Sequence, residues 1–332
     1  MRYLRSMHSD EYYIQKCLDL AKKGLGNVAP NPMVGAVIVH DDEIIGQGFH
    51  ENYGEAHAEV NAVNSVKDTS LLKESTIYVS LEPCAHFGKT PPCCDLIIKN
   101  EFKRVVVGTK DPFESVDGNG IEKIKKNGID ITVGVLEDEC KELNKAFFAA
   151  HTKKIPYVTL KWAQTKSGKI DAGKCDQEVA WISGPEAKRF VHQLRVENQA
   201  ILVGYNTVVN DDPELTVREV EGKNPVRIVL DRDNSLESNL KVFNKASETI
   251  VLTESNPADI LRKLYKENII SVLIEGGKKT LQSFIDLGLW DEAYIIEGAV
   301  EYEEGTPAPN LTGATLEKSF QLGEDQINHY KK

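Results

Sequence analysis

Ala56-His57-Ala58-Glu59 and, further on, Pro83-Cys84-Ala85-His86-Phe87-Gly88-Lys89-Thr90-Pro91-Pro92-Cys93 are the stretches that decide how this chain is read. His57, Cys84 and Cys93 are side chains of the kind that bind zinc. Three protein ligands leave the fourth tetrahedral position to water, whereas a structural zinc normally closes its shell with four. A metal with an open position acidifies the water that it holds. Glu59 is too near His57 in sequence to serve as a fourth ligand, and it is placed to carry protons.

That division of labour is the one used in zinc-dependent deamination of nucleobases. An isolated His-x-Glu carries no information, and a cysteine pair alone more often marks a structural zinc or buried thiols. Here the pieces arrive in deaminase order, with Pro83 before the first cysteine. Eight residues separate the cysteines, more than the two of the usual signature, so the intervening segment is a loop. It carries His86 and Lys89, and a cation there suits a phosphorylated substrate.

At 332 residues the chain is long enough for two domains of roughly 150 residues each. An apolar fraction of 41% and a charged fraction of 27% are those of a globular protein. The net charge of −11 argues against a nucleic-acid binder, which displays basic patches to phosphates. The N-terminal segment has no apolar core of secretory length and no stretch approaches a membrane span, so a cytoplasmic protein without a membrane partner is expected. In that reducing compartment Cys17, Cys94, Cys140 and Cys175 stay unpaired. Met7 is an alternative start, because nothing before it signals an element.

Apolar spacing predicts a helix over 10–23, a hairpin from strands 33–39 and 44–49, and a helix over 56–66 that puts His57 and Glu59 in its first turn. There the helix amides favour a metal-bound anion. A strand over 76–81 runs into the Pro-Cys loop, and Cys93 opens a helix to about 100. Strands 104–108 and 131–135 and helices 120–126 and 137–149 complete a three-layer α/β/α sandwich. The rhythm breaks at 151–156, placing a boundary between domains 1–152 and 153–332. The second half alternates again: strands 157–163, 200–203, 226–230, 249–252, 271–274 and 293–297, with helices 185–196, 257–265 and from the glycine pair to 287. Gly276-Gly277, after an apolar strand and before a helix, lets a phosphate approach helix-terminal amides, although such a pair equally marks a turn. Arg232 lies just past a strand, where a surface arginine is the ordinary reading.

These residues carry a resemblance. Asn31-Pro32-Met33-Val34-Gly35-Ala36, Gly54-Glu55-Ala56-His57-Ala58-Glu59 and the Pro83–Cys93 loop resemble the bifunctional riboflavin-biosynthesis family, in which a pyrimidine deaminase is fused to a pyrimidine reductase. In the second half the likeness rests on Leu160-Lys161-Trp162-Ala163, Trp181-Ile182-Ser183, Ile201-Leu202-Val203-Gly204, Asp211-Asp212-Pro213-Glu214-Leu215-Thr216-Val217-Arg218 and Glu275-Gly276-Gly277.

The resemblance implies a cytidine-deaminase-like first domain and a dihydrofolate-reductase-like second one. It implies a zinc ion on His57, Cys84 and Cys93, Glu59 as proton carrier, and NADPH as the second cofactor. The substrate would be a diaminopyrimidinone bearing a ribosylamino 5-phosphate. Asn31, His50, His86 and Lys89 would hold it in the first domain, and Arg195, Leu215, Arg218 and Glu275 in the second, with both arginines as phosphate clamps. NADPH would contact Ala163, Trp181, Thr207, Asp211, Arg232, Gly276 and Gly277. A homo-oligomer is expected. The chain departs from the family at Ser167, where an aspartate is usual before Gly168, at Val179 in place of a substrate-contacting serine, and at Phe113 in place of an asparagine. These departures leave open a deaminase whose second half binds ligand without catalysis.

Overall fold

The structure, a computed structural model, describes residues 8–85, 87, 91–113, 116–173 and 181–332. The chain forms two compact units, Met1–Thr152 and Lys153–Lys332. Each is a sheet with helices on its faces.

The first unit runs α1 (Asp10–Ala21), β1 (Gly35–His40), β2 (Glu43–Phe49), α2 (Ala58–Asn64), β3 (Thr76–Leu81), α3 (Cys93–Lys99), β4 (Arg104–Thr109), α4 (Asn119–Lys126), β5 (Asp130–Val133), α5 (Glu137–Leu143) and α6 (Lys145–Lys153). Its sheet has the order β2-β1-β3-β4-β5, with β1 antiparallel to both neighbours and β3, β4 and β5 parallel. Successive side chains of a strand face opposite ways, and both faces here are covered. Ala36, Ile38, Ile77, Val79, Val105 and Val107 pack under α2, α3 and α4. Val37, Val39, Tyr78 and Val106 pack against Tyr13, Ile14, Cys17 and Leu18 of α1 and Cys140 of α5. Ser9 caps α1, its hydroxyl accepting from the Tyr12 N–H.

The second unit runs β6 (Tyr157–Thr165), α7 (Pro185–Glu197), β7 (Ala200–Gly204), α8 (Tyr205–Asp211), β8 (Val226–Leu230), β9 (Thr249–Leu252), α9 (Pro257–Lys266), β10 (Ser271–Gly276), α10 (Lys278–Asp286), β11 (Glu292–Gly298), β12 (Thr315–Leu322) and β13 (Asp325–Lys331). The eight strands are ordered β12-β13-β11-β6-β10-β7-β8-β9. Strands β11 to β9 of that order are parallel, and the β12–β13 hairpin is antiparallel. Thus β10 lies between β6 and β7, which precede it in the chain. Leu160, Leu202, Val272 and Ile274 meet Leu261 and Leu264 of α9 and Leu281 and Phe284 of α10 on one face.

Two expectations are corrected. Helix α2 starts at Ala58, with His57 as its N-cap in extended conformation rather than inside the first turn. The single helix expected over 137–149 is two, broken at Asn144. Helix α8 and the β12–β13 hairpin were not foreseen. In β12 six of eight residues are exposed, so no apolar alternation announces it.

Candidate active sites

In the first unit, the N-terminal end of α2, the segment after β3 and the first residue of α3 converge. His57 Nδ1 lies 3.6 Å from Cys84 Sγ and 3.3 Å from Cys93 Sγ, and the three ligand atoms all fall within 4.8 Å of one another. Ligands about 2.0–2.3 Å from a tetrahedral zinc stand roughly 3.5–3.8 Å apart, so the triad matches that ion with little movement. The Cys93 N–H donates to Cys84 Sγ at 3.3 Å, and the Cys94 N–H to the Cys84 carbonyl at 3.2 Å. Hydrogen bonding from the Cys93 thiol holds Cys84 far below the usual thiol range, at about 4, and Cys93 is correspondingly raised. Cys94 is buried and belongs to the core under the sheet rather than to the triad.

Glu59 lies in the first turn of α2, two residues after His57, with 3% of its surface exposed. Burial, then the negative charge of Cys84, push its carboxyl up to about 7. A carboxyl poised near neutrality can both take and return a proton.

His50 is also buried, its ring 5.5 Å from that of His57. Its Nδ1 lies 3.0 Å from the Ala56 carbonyl, which only accepts, so Nδ1 carries the proton. Nε2 is then the acceptor for Asn31 Nδ2 at 3.1 Å. This fixes the amide of Asn31, turning its Oδ1 away from His50. Burial lowers the His50 pKa and keeps the ring neutral. Asn31 and His50 are therefore brought together beside the triad; His86 and Lys89 lie outside the described residues.

The approach to Cys84 is held by a residue that sequence reasoning missed. The buried Glu82 carboxylate accepts from the backbone N–H groups of Asp111 (3.3 Å), Gly118 (3.0 Å), Gly120 (3.1 Å) and Ile121 (3.2 Å). It thereby caps the start of α4. A Cβ on Gly120 would come within 2.0 Å of the Pro83 carbonyl oxygen, so only glycine permits this approach. Phe113, at one departure from the family, packs its ring 5.0 Å from that of His151.

In the second unit a cavity of about 130 Å³ is lined by Lys161, Trp181, Ser183, Lys188, Val191, His192, Arg195, Arg218 and Glu275. Arg195 grips Glu275 with two parallel bonds, Nε to Oε1 at 2.7 Å and Nη2 to Oε2 at 3.0 Å, and Lys161 Nζ adds a contact at 3.4 Å. Burial opposes ionisation of Glu275, but the Arg195 and Lys161 charges prevail and its pKa falls to about 2. Arg195 also donates to the Thr216 carbonyl at 2.9 Å. Three of its five donors are thus engaged within the protein. Arg218 Nη1 bonds Glu214 and the Thr216 hydroxyl, and its backbone N–H donates to His192 Nδ1 at 3.0 Å. That contact leaves the His192 proton on Nε2; burial and the two arginines keep the ring neutral, with a pKa near 4. Lys161 and His192 were not among the expected site residues, although a lysine inside the apolar run of a central strand was a legible signal. Leu215 is buried with φ 54, beneath this cavity's Thr216–Arg218 segment.

The residues expected to hold the nucleotide gather at the carboxyl ends of parallel strands, where open α/β sheets bind ligands. Ala163 is near the end of β6, Thr207 and Asp211 follow β7 on α8, Arg232 is exposed in the turn after β8, and Gly276-Gly277 join β10 to α10. The Gly276–Gly277 peptide is cis, and a Cβ on Gly277 would stand 3.2 Å from Thr207 Oγ1. The cradle that these glycines leave open beside Thr207 fits a nucleotide phosphate. Trp181 is 61% exposed, with Lys188 Nζ 5.1 Å from its ring centre. Ser167 donates to Glu301 at 2.6 Å, so a carboxylate does stand at this departure. Val179 lies outside the described residues.

Residues 7–109 match the cytidine and deoxycytidylate deaminase zinc-binding region, and residues 156–299 match the RibD C-terminal domain. The chain is 40% identical to the riboflavin biosynthesis protein RibD of Aquifex aeolicus, over 97% of this chain and 98% of that one. It is 34% identical to the RibD of Escherichia coli over 86% of each. Among solved structures, a Thermotoga maritima diaminohydroxyphosphoribosylaminopyrimidine deaminase/5-amino-6-(5-phosphoribosylamino)uracil reductase is similar at a TM-score of 0.89 and 38% identity, over 97% and 98% of the two chains. An Acinetobacter baumannii RibD is similar at 0.89 and 32%, over the same shares.

Proposed function

The chain belongs to the RibD family, bifunctional riboflavin-biosynthesis enzymes that join a zinc-dependent deaminase to an NADPH-dependent reductase, and on that premise we propose which residues carry the two reactions and on what substrate. The substrate is 2,5-diamino-6-ribosylamino-4(3H)-pyrimidinone 5′-phosphate, deaminated in domain 1–152 and then reduced, from ribosyl to ribityl, in domain 153–332. The observation that carries the reading is the His57, Cys84 and Cys93 triad, its ligand atoms within 4.8 Å of one another, with Glu59 buried beside it.

His57, Cys84 and Cys93 would hold the zinc ion, which supplies Lewis acidity to activate a water molecule. Glu59 would move two protons in turn, the first from water to a ring nitrogen and the second from the hydroxyl added at the ring carbon to the amino group, which leaves as ammonia. Asn31, its amide fixed by neutral His50, holds the pyrimidine, with His86 and Lys89 toward the phosphate.

In the second domain NADPH supplies the hydride that reduces the ribosyl C1 carbon. Ala163, Trp181, Thr207, Asp211, Arg232 and Gly276-Gly277 bind it; Leu215, Arg218 and Glu275 bind the substrate. Arg195 also belongs to the substrate site, and it and Arg218 are the phosphate clamps of the reading, Arg195 from its pair with Glu275 and Arg218 from its pair with Glu214. The five described cysteines are all unpaired, which supports a reducing, cytoplasmic setting. The acidity of the chain supports a small phosphorylated partner over a polynucleotide, and we include a homo-oligomer in the reading. No helix among the described residues is long and apolar enough to cross a membrane.

The test is to measure ammonia release and NADPH oxidation separately. Ammonia from the diaminopyrimidinone phosphate without NADPH, followed by NADPH oxidation on the deaminated product, is expected. Ammonia without any subsequent oxidation would leave the second domain a binding module.

A further inference from the structure

Asn144 interrupts two helices and uses its whole side chain on a segment far away in the chain. Its backbone, at φ −110 and ψ 24, lies between α5 and α6, and its side chain is 4% exposed. Oδ1 accepts from the Met33 N–H at 2.8 Å, and Nδ2 donates to the Met33 carbonyl at 2.9 Å, across 111 residues. A carboxamide that satisfies both polar groups of one residue stands in for a neighbouring strand. The Asn144 backbone is satisfied without it, donating to Lys141 and accepting from Phe148. The local helix turn therefore gives no reason for this side chain.

Met33 is two residues past Asn31, in the stretch that feeds the site. The segment is clipped along its length: Asn31 N–H to Val28, Met33 to Asn144 on both groups, Val34 carbonyl to the His50 N–H, and Gly35 N–H to the Ser80 hydroxyl. Of these, the Asn144 pair lies nearest Asn31 among contacts made by a side chain. Asn31 in turn meets His50 at 3.1 Å, and His50 stands beside His57.

We propose that Asn144 is a positioning residue for the deaminase site: by fixing Met33 it sets Asn31 against His50 and so shapes the wall that receives the pyrimidine. The inference rests on the assignment of Asn31 to substrate binding made above. Asn144 touches neither the zinc ligands nor Glu59, so its effect falls on substrate binding and leaves proton transfer in place.

A double-variant cycle with Asn31 separates this role from a general one in stability. N144A should raise KM for ammonia release by roughly 10- to 100-fold, with kcat, zinc content and NADPH oxidation largely kept. In an N31A background the same substitution should add less than about twofold, because the group it positions is gone. An equal loss in both backgrounds, a fall in kcat instead of KM, or no loss overturns the proposal. Should N144A not retain zinc, Asn144→Asp, which keeps the acceptor for the Met33 N–H, goes through the same cycle, and the same outcomes support or overturn the proposal. The ¹⁵N resonance of His50 Nε2 decides independently of turnover: it should move in N144A as the Asn31 bond loosens, and an unmoved resonance counts against the proposal. Wild-type protein that releases no ammonia would instead sink the functional assignment, leaving the resonance to judge Asn144.

Discussion

Glu59 and Asp111 are two buried carboxyls pushed up to about 7 with different consequences. Glu59 is the proton carrier in the proposed deamination. Replacing it with glutamine keeps the shape and should lower ammonia release by about 10²- to 10⁴-fold, with zinc bound as before by elemental analysis and NADPH oxidation unchanged. Asp111 is raised by burial first, partly offset by the Phe113 N–H, and raised again by Glu82. In the folded state it therefore keeps its proton to higher pH than in the unfolded chain, where it ionises near 3.8. Between about pH 4 and 7 the unfolded state binds fewer protons, so this group subtracts stability as pH rises, by up to about 4 kcal/mol. Asp111→Asn should match wild type near pH 4 and exceed it at pH 8 in denaturant titrations of the first unit. The grip of Arg195 on Glu275 depends on a planar fork that lysine lacks. Arg195→Lys should cut NADPH oxidation roughly tenfold or more while sparing ammonia release. Among residues, His57, Cys84, Cys93 and Glu59 were legible because metal chemistry restricts both type and order. Glu82, Asn144 and His192 were not, since a side chain that bonds backbone leaves no pattern in sequence.

At the scale of elements, the starts of α2 and α3 deliver His57 and Cys93, and the anchoring of α4 by Glu82 holds the chain just ahead of Cys84. Glu82→Ala would leave four backbone donors without their acceptor. We expect about 3 kcal/mol lost from the first unit, read by denaturant unfolding, together with faster zinc loss to a chelator. Gly120→Ala should act in the same direction, because its methyl meets the Pro83 carbonyl. Strong apolar periodicity made most strands and helices readable, α1 and β3 among them. The break at Asn144 was not readable because Glu137–Ala149 keeps helical spacing through it, and the bonds that Asn144 makes to Met33 reach across 111 residues. The β12–β13 hairpin escaped for the opposite reason: an edge strand exposed on both sides has no apolar face to reveal it.

The whole molecule is two units with separate cores, which is why two chemistries can be lost one at a time. Dialysis against a chelator should abolish ammonia release and leave NADPH oxidation of the deaminated product near its starting rate; loss of both together would mean that the second unit depends on the metal as well. The order of strands in the second sheet was not visible in sequence, since spacing along a chain says nothing of which strand is inserted where.

That insertion bears on how the protein is made. Strands β6 and β7 wait with a gap between them that only residues 271–276 can close. A ribosome will thus have released every strand of the first sheet long before the second acquires its central rung. Until then the nascent C-terminal half exposes both edges of β6 and one edge of β7, an opening for mispairing between neighbouring chains on one message.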